Sequence, residues 1–402
     1  MLSDDRATDS LRVCIVTLIY LANHFMDFNF YGIIPVDYLI MGCWIALFPF
    51  IFFHNRKIYV GNRTTLLLIF FVGVMMASTL WSEFHAETFQ YAIRLVLLLG
   101  FYFLILNFTS ISSIERVIRN IIFIVFITSI ISLYKFVFQP GLFYGRYLFY
   151  ISQRGDPNFA AMTLIFCSFY AYYFARCNGK TNFKYVLLAI YFFILFIITF
   201  SRGLYVSLFL TVLLAFFPVL KGITHKFRQL ILGIVFLLLG FSPLFLVLFW
   251  QKIGVVLRFD SLRDGAGRFE LWLNGVRSLL KKPILGYGAG TYRYTVTLNY
   301  STFAAGLVSH NSWLEMAFGG GIVALLAFGL FSVCLLGNLR NYEKEYHEHL
   351  LFVRITRWIF VLMLFSMFTV NLETYRNLWF VMGVAGFLDK VLGRKGRILV
   401  VR

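Results

Sequence analysis

The chain has 402 residues, of which 60% are hydrophobic and 13% charged, and its formal net charge is +18 at pH 7. With a mean hydropathy of +0.81 it has too few polar groups to cover a water-facing surface, which excludes a soluble globular protein and makes the bilayer its solvent. Aromatic residues make up 20% of the chain and gather at the ends of apolar runs, where interfacial belts form.

The N-terminal MLSDDRATDSLR is polar and leads into an apolar stretch with no small-residue cleavage site, so it reads as the lead-in to a retained first span. Runs of about 17–25 apolar residues cross the hydrocarbon as helices. Twelve are expected, at 11–28, 33–53, 64–82, 89–109, 120–139, 157–175, 184–200, 203–220, 229–250, 311–337, 351–371 and 376–391. The first is the weakest, because Asn23, His24 and Asp27 interrupt its end. The expected fold class is therefore all-α, a polytopic integral membrane protein of about 12 transmembrane helices forming one domain over 1–402. Cys14, Cys43, Cys167, Cys177 and Cys334 are scattered and mostly inside apolar runs, which fits small buried hydrophobes and neither a disulfide framework nor a metal spacing.

Lysine and arginine set the orientation. With the N-terminus inside, the inner segments carry Arg56, Lys57, Arg63, Arg116, Arg119, Arg176, Lys180, Lys184, Lys221, Lys226, Arg228, Arg340 and Lys344, and the tail adds Lys390, Arg394, Lys395, Arg397 and Arg402. The outer loop WSEFHAETFQ is acidic by contrast. Both termini are thus expected in the cytoplasm. One outer region breaks the rule: Arg146, Arg154 and Arg202 are followed by a long loop at 251–310 with Lys252, Arg258, Arg263, Arg268, Arg277, Lys281, Lys282 and Arg293. A long loop tolerates basic residues, but so many together suggest an outward-facing site for an anion, most simply phosphate.

Within that loop, GRFELWLNGVRSLLKKP spaces Phe269, Leu271, Trp272, Val276, Leu279 and Leu280 as on an amphipathic helix, expected over 268–282 and lying on the membrane surface. Arg268 is placed at its start, where free backbone N–H groups favour an anion. The alternating glycines of PILGYGAG, Gly286, Gly288 and Gly290, mark a tight loop that lets backbone approach something closely.

Arginine at the edge of a span is expensive and marks a candidate site. Arg202, in SRG, either serves such a site or snorkels to lipid phosphates or a helix end; Arg94 and Lys135 read more simply as internal ion-pair partners. Most histidines lie in loops or at span ends as solvated side chains. His310 differs, because it opens a span directly after the arginine-rich loop. Surrounding arginines disfavour its imidazolium, so a neutral base is expected at pH 7, able to take a proton from a hydroxyl. Asn311 and Glu315 follow it, the latter on an uncertain face. No metal-binding spacing is evident, and the outer carboxylates Glu83, Glu87, Asp156, Asp260, Asp264, Glu270 and Glu373 form no aspartate pair.

Taken together, SRG at 201–203, GRFELW at 267–272, PILGYGAG at 283–290, HNSWLEMAFGGG at 310–321 and RGDPNFAAM at 154–162 resemble the O-antigen ligase family, which also contains polysaccharide polymerases. The likeness covers about 150–335; the first 140 residues match in hydropathy alone. It implies a lipid-linked glycosyltransferase fold of the GT-C-like kind working at the periplasmic face of the bacterial inner membrane, without a cofactor and without nucleic acid as a partner. It also implies an undecaprenyl diphosphate-linked glycan as donor and a sugar hydroxyl as acceptor, on lipid A–core in a ligase or on a second lipid-linked repeat in a polymerase. Arg202 and Arg268 would then bind the donor diphosphate and His310 would be the essential histidine. Arg146, Arg154, Asp156, Asn158, Asn311, Glu315 and Arg293 are possible supports. The chain departs from the family at Gly319-Gly320-Gly321, where many relatives carry a carboxylate shortly before the glycine. A transporter or flippase is a remote alternative, since no inverted repeat with broken midplane helices is visible.

Overall fold

The computed structural model describes residues 2–25, 42, 58–59, 61–139, 147, 149, 156–177, 179, 181–221, 262–299, 308–345, 349–393 and 400–401. Within them the helices are α1 (Leu2–Phe25), α2 (Arg63–Ala77), α3 (His85–Leu106), α4 (Ile111–Phe138), α5 (Pro157–Arg176) and α6 (Phe183–Ile198). They continue with α7 (Arg202–Lys221), α8 (Leu262–Leu279), α9 (Tyr292–Asn299), α10 (Ser312–Glu345), α11 (Leu350–Ser366) and α12 (Arg376–Leu392). One two-residue antiparallel pair joins β1 (Ile58–Tyr59) to β2 (Val400–Val401), with Ile58 opposite Val401.

Among the described residues, five segments are long and apolar enough to cross a membrane: Arg63–Leu80, His85–Leu106, Ile111–Phe138, Pro157–Arg176 and Ser312–Lys344. Phe183–Ile198 and Arg202–Phe216 are shorter apolar helices. The all-helical membrane class read from composition is the one found. The expected spans 33–53, apart from residue 42, and 229–250 lie outside the described residues. Several helices outrun their apolar runs: α1 begins at Leu2 and not at 11, and α3 at His85 and not at 89. α4 begins at Ile111 and not at 120, because the Ser110 side chain caps it by accepting from the Ser113 N–H at 3.3 Å. α10 continues to Glu345 and not 337, with Gly337 lying in regular helix.

Between helices in lipid there is little hydrophobic drive, so close packing and polar links hold the bundle. α3 and α12 approach closely because Gly383 and Gly386 leave room for Ile105 and Tyr102. Buried hydroxyl pairs stitch neighbours together: Tyr102 with Thr65 at 3.0 Å and Tyr170 with Thr356 at 3.0 Å. A polar cluster closes one end of the bundle. There Asp9 accepts from the Thr109 N–H, Lys390 donates to the carbonyls of Leu106 and Phe108, and Asp389 accepts from Asn338 and Tyr342. The start of α1 and the end of α12 therefore share a side. The N-termini of α5, α7 and α10 lie at the other end, and the candidate site is built there.

Candidate active site

At the mouth of α10 the sequence Ser309-His310-Asn311-Ser312 is specified almost atom by atom. Asn311 is the N-cap: its Oδ1 accepts from the Leu314 N–H at 3.1 Å, satisfying a donor that the helix cannot. Ser309, fully buried, accepts from the Asn311 N–H at 3.2 Å and donates its hydroxyl to Glu315 Oε2 at 2.7 Å. Glu315 is itself 4% exposed, and Asn371 Nδ2 reaches the same oxygen at 3.4 Å. Between these bonds His310 sits half-buried in the left-handed region, φ +51°. A residue with a Cβ occupies that region only when its neighbours over-determine it, a pattern that concentrates at functional sites. Among the described residues Phe200 is the other non-glycine with positive φ, at +50°. It immediately precedes Ser201-Arg202-Gly203, so the same backbone device marks the arginine motif as well as the histidine motif.

Both motifs meet one strap, residues 367–375 between α11 and α12. Ser312 donates its N–H to the Met367 carbonyl at 2.8 Å, and its hydroxyl donates to the Val370 carbonyl at 2.9 Å and accepts from the Leu372 N–H at 2.6 Å. On the other side a Cβ at Gly203 would overlap the Thr369 hydroxyl, so SRG needs its glycine to seat α7 against the strap. Ser201, fully buried, donates to Asn158 Oδ1 at 2.7 Å, which ties α7 to α5. Asp156 caps α5 by accepting from the Asn158 N–H at 2.7 Å, with Pro157 in the first turn where its missing N–H is harmless. Tyr375 continues the strap to α5: its hydroxyl donates to the Phe159 carbonyl at 3.1 Å and pairs with Thr163. Arg202 is thus the exposed first residue of α7, at a helix N-terminus whose free N–H groups favour an anion.

The glycine-rich loop supplies the third wall. Tyr287 and Gly288 donate their N–H groups to the carbonyls of Phe318 and Gly319 at 2.8 and 2.9 Å, and Ile322 donates to Pro283 at 2.9 Å. This strip of backbone pairing requires α10 to open at Gly320 and Gly321, the latter at φ +66°, ψ −165°. A Cβ at Gly321 would overlap the Ile284 carbonyl. The triple glycine is therefore the docking edge for PILGYGAG. Ala289 adds an N–H to Ser78 Oγ at 3.0 Å, and Tyr91, packed on Gly290, donates to Glu373 Oε1 at 2.8 Å. Glu373 is 3% exposed, and burial pushes its carboxyl up from the ordinary value of 4.5.

Two expectations change. The amphipathic helix runs Leu262–Leu279 and not 268–282, so Arg268 lies in its second turn and not at its start. The argument from free N–H groups at a helix start therefore does not apply to Arg268. Second, the apolar residues of this helix divide between two surroundings. Leu271 is buried with Tyr292, Val296, Tyr287, Leu314 and Phe318 in a cluster separate from the main core, while Leu273 and Val276 are exposed. Half of the amphipathic pattern is thus a docking face onto α9 and α10. Arg293 is exposed and lies over the Tyr294 ring at 4.6 Å. Arg146 and Arg154 lie outside the described residues.

The strap leaves no mark in the sequence. Glu373 stands there as one outer carboxylate among seven, and Ser309, Asn371 and Tyr91 carry no signal, because a polar residue beside an apolar run looks the same whether it faces a site or a neighbour. Among the described residues no group of three or more His, Cys, Asp or Glu side chains is arranged to hold a metal ion.

Residues 187–329 match the family model described as O-antigen ligase. The chain is also similar to a ComP-specific O-oligosaccharyltransferase of Acinetobacter baylyi, 27% identical over 207 residues. That match covers 50% of this chain and 37% of the relative, so the chain spans well under half the length of the curated protein it matches.

Proposed function

From an O-antigen ligase-family assignment, which both matches support, we propose that the protein transfers a glycan from undecaprenyl diphosphate to a sugar hydroxyl of lipid A–core, at the periplasmic face of the inner membrane. The observation that supports the reading is that the segments bearing Arg202 and His310 both meet the strap 367–375, through Gly203 and Ser312, each beside or at a left-handed residue and each at a helix mouth.

The anomeric carbon carries diphosphate, which leaves easily once its growing charge is met. Arg202, at the N-terminus of α7, and Arg268, on α8, supply that charge; guanidinium suits phosphate because its planar fork donates in pairs and stays protonated. His310 takes the proton of the attacking hydroxyl, the oxygen bonds to the anomeric carbon, and the C–O bond to diphosphate breaks with inversion. Ser309, Asn311 and Glu315 hold His310 in place and take no part in bond making. Arginine, and not a divalent ion, neutralises the diphosphate in this reading, so full activity is expected in excess chelator; activity lost in chelator and restored by magnesium would overturn that part.

The relative's name favours a second reading, in which the acceptor hydroxyl belongs to a dedicated partner such as the ComP named there. A polymerase, using a second lipid-linked repeat, is the third. One assay separates them: purified protein is incubated with lipid-linked glycan and each acceptor class, and the acceptor that gains the glycan's mass is identified. Lipid A–core is expected to gain it. Transfer to protein or to a second lipid-linked repeat alone would replace the first reading with one of the others.

A further inference from the structure

The indole N–H of Trp272, on α8, donates to the backbone carbonyl of Ser309 at 2.6 Å. The transfer chemistry above makes no use of this bond, yet it falls on the residue that immediately precedes His310. We propose that Trp272 is a positioning residue for the transfer reaction, which fixes His310 in its left-handed conformation and couples α8 to it. The proposal rests on the reading of His310 as the base.

Left-handed backbone is disfavoured for a residue with a Cβ and persists only where its surroundings hold it. Ser309 is held from two sides: Glu315 takes its hydroxyl at 2.7 Å and Trp272 takes its carbonyl. Both grips come from rigid elements. Glu315 belongs to the first turn of α10. Trp272 belongs to a helix anchored by Leu271, 3% exposed, whose carbonyl accepts from the Tyr292 hydroxyl at 2.6 Å. Tyr292 in turn lies edge-on to Phe318 at 5.0 Å, and Phe318 stacks with Tyr287 of the glycine loop at 4.8 Å. The chain of contacts from α8 back to α10 is therefore closed. A tryptophan serving as an interfacial anchor turns its N–H toward headgroups and water; this one spends its N–H on the backbone beside His310.

Arg268 lies four residues before Trp272, one turn earlier on the same helix. A single rigid helix thus bears a candidate diphosphate ligand and the grip on the residue before the base. Movement of α8 on donor binding would be felt at His310 through one hydrogen bond.

Trp272→Phe in the full chain tests this, since it keeps an aromatic ring in the satellite cluster and removes only the donor. The variant is expected to melt within a few degrees of the parent. Its kcat should fall about tenfold, the acid limb of its kcat–pH profile should shift, and the amides of residues 308–312 should exchange faster with deuterium. A role confined to stability would scale the profile without moving it. Unchanged kcat, profile and exchange in Trp272→Phe, with His310→Ala inactive, would overturn the coupling alone. Full transfer by His310→Ala would overturn the reading of His310 and the coupling together.

Discussion

His310 is the residue whose backbone says most. Its sequence neighbours announce a histidine at a helix mouth, and composition suggests the arginines; what the sequence hides is the φ of +51° and the bonds to Ser309 and Asn311 that enforce it. Asn311 is legible as an N-cap type of residue, and its cap is worth about 1 kcal/mol. Asn311→Ala is therefore expected to lower the melting temperature by a few degrees, whereas Asn311→Asp or Ser should hold it; an unchanged Asn311→Ala melt would deny the cap. Glu373 makes a second prediction. Burial raises its carboxyl above 4.5, so the folded state binds more protons than the unfolded one above that pH. Its contribution to stability is present at low pH and lost as pH rises through the raised value. Glu373→Gln mimics the protonated form, so the parent should lose melting temperature relative to the variant as the pH rises above the ordinary carboxyl value of 4.5; parallel curves would contradict this.

Among elements, apolar runs place the helices well, because lipid demands long uninterrupted helices and punishes exposed backbone. What they cannot place is the break inside α10. GGG within an apolar run reads as flexibility, since periodicity carries no trace of a loop docked from thirty residues upstream. The pairing of Gly288 with Gly319 and of Ile322 with Pro283 shows that the glycines serve as an edge for the incoming backbone. Two substitutions in the same helix separate these roles. Gly321→Ala sets a Cβ on the Ile284 carbonyl at a positive φ and should destabilise by about 2 kcal/mol or more. Gly329→Ala meets nothing and sits in regular helix, so it should stabilise by up to about 1 kcal/mol. Equal melting temperatures for the two variants would remove the edge from the account. The amphipathic helix α8 shows a related limit: apolar residues at helical spacing reveal that a helix has an apolar face, and cannot say whether that face meets lipid or protein.

At the scale of the whole molecule, the chain divides its polar groups between two ends of an apolar bundle. One end is closed by Asp9, Lys390 and Asp389, each paired with the helices around it. The other brings the segments of Arg202 and His310, with Glu315 and Glu373, to the strap 367–375. Charge asymmetry in the sequence separates the ends, because the insertion rule is written in lysine and arginine counts. It cannot show that residues near 158, 202, 310 and 370 converge, since hydropathy records depth in a membrane and not azimuth around a bundle. The central claim is that His310 at this convergence removes the proton of the acceptor hydroxyl while arginine holds the diphosphate. The most direct test is transfer from an undecaprenyl diphosphate-linked glycan by purified His310→Ala, alongside its insertion and melting. The account predicts a loss of at least about 100-fold with insertion and melting unchanged. Transfer within about tenfold of the parent would contradict it.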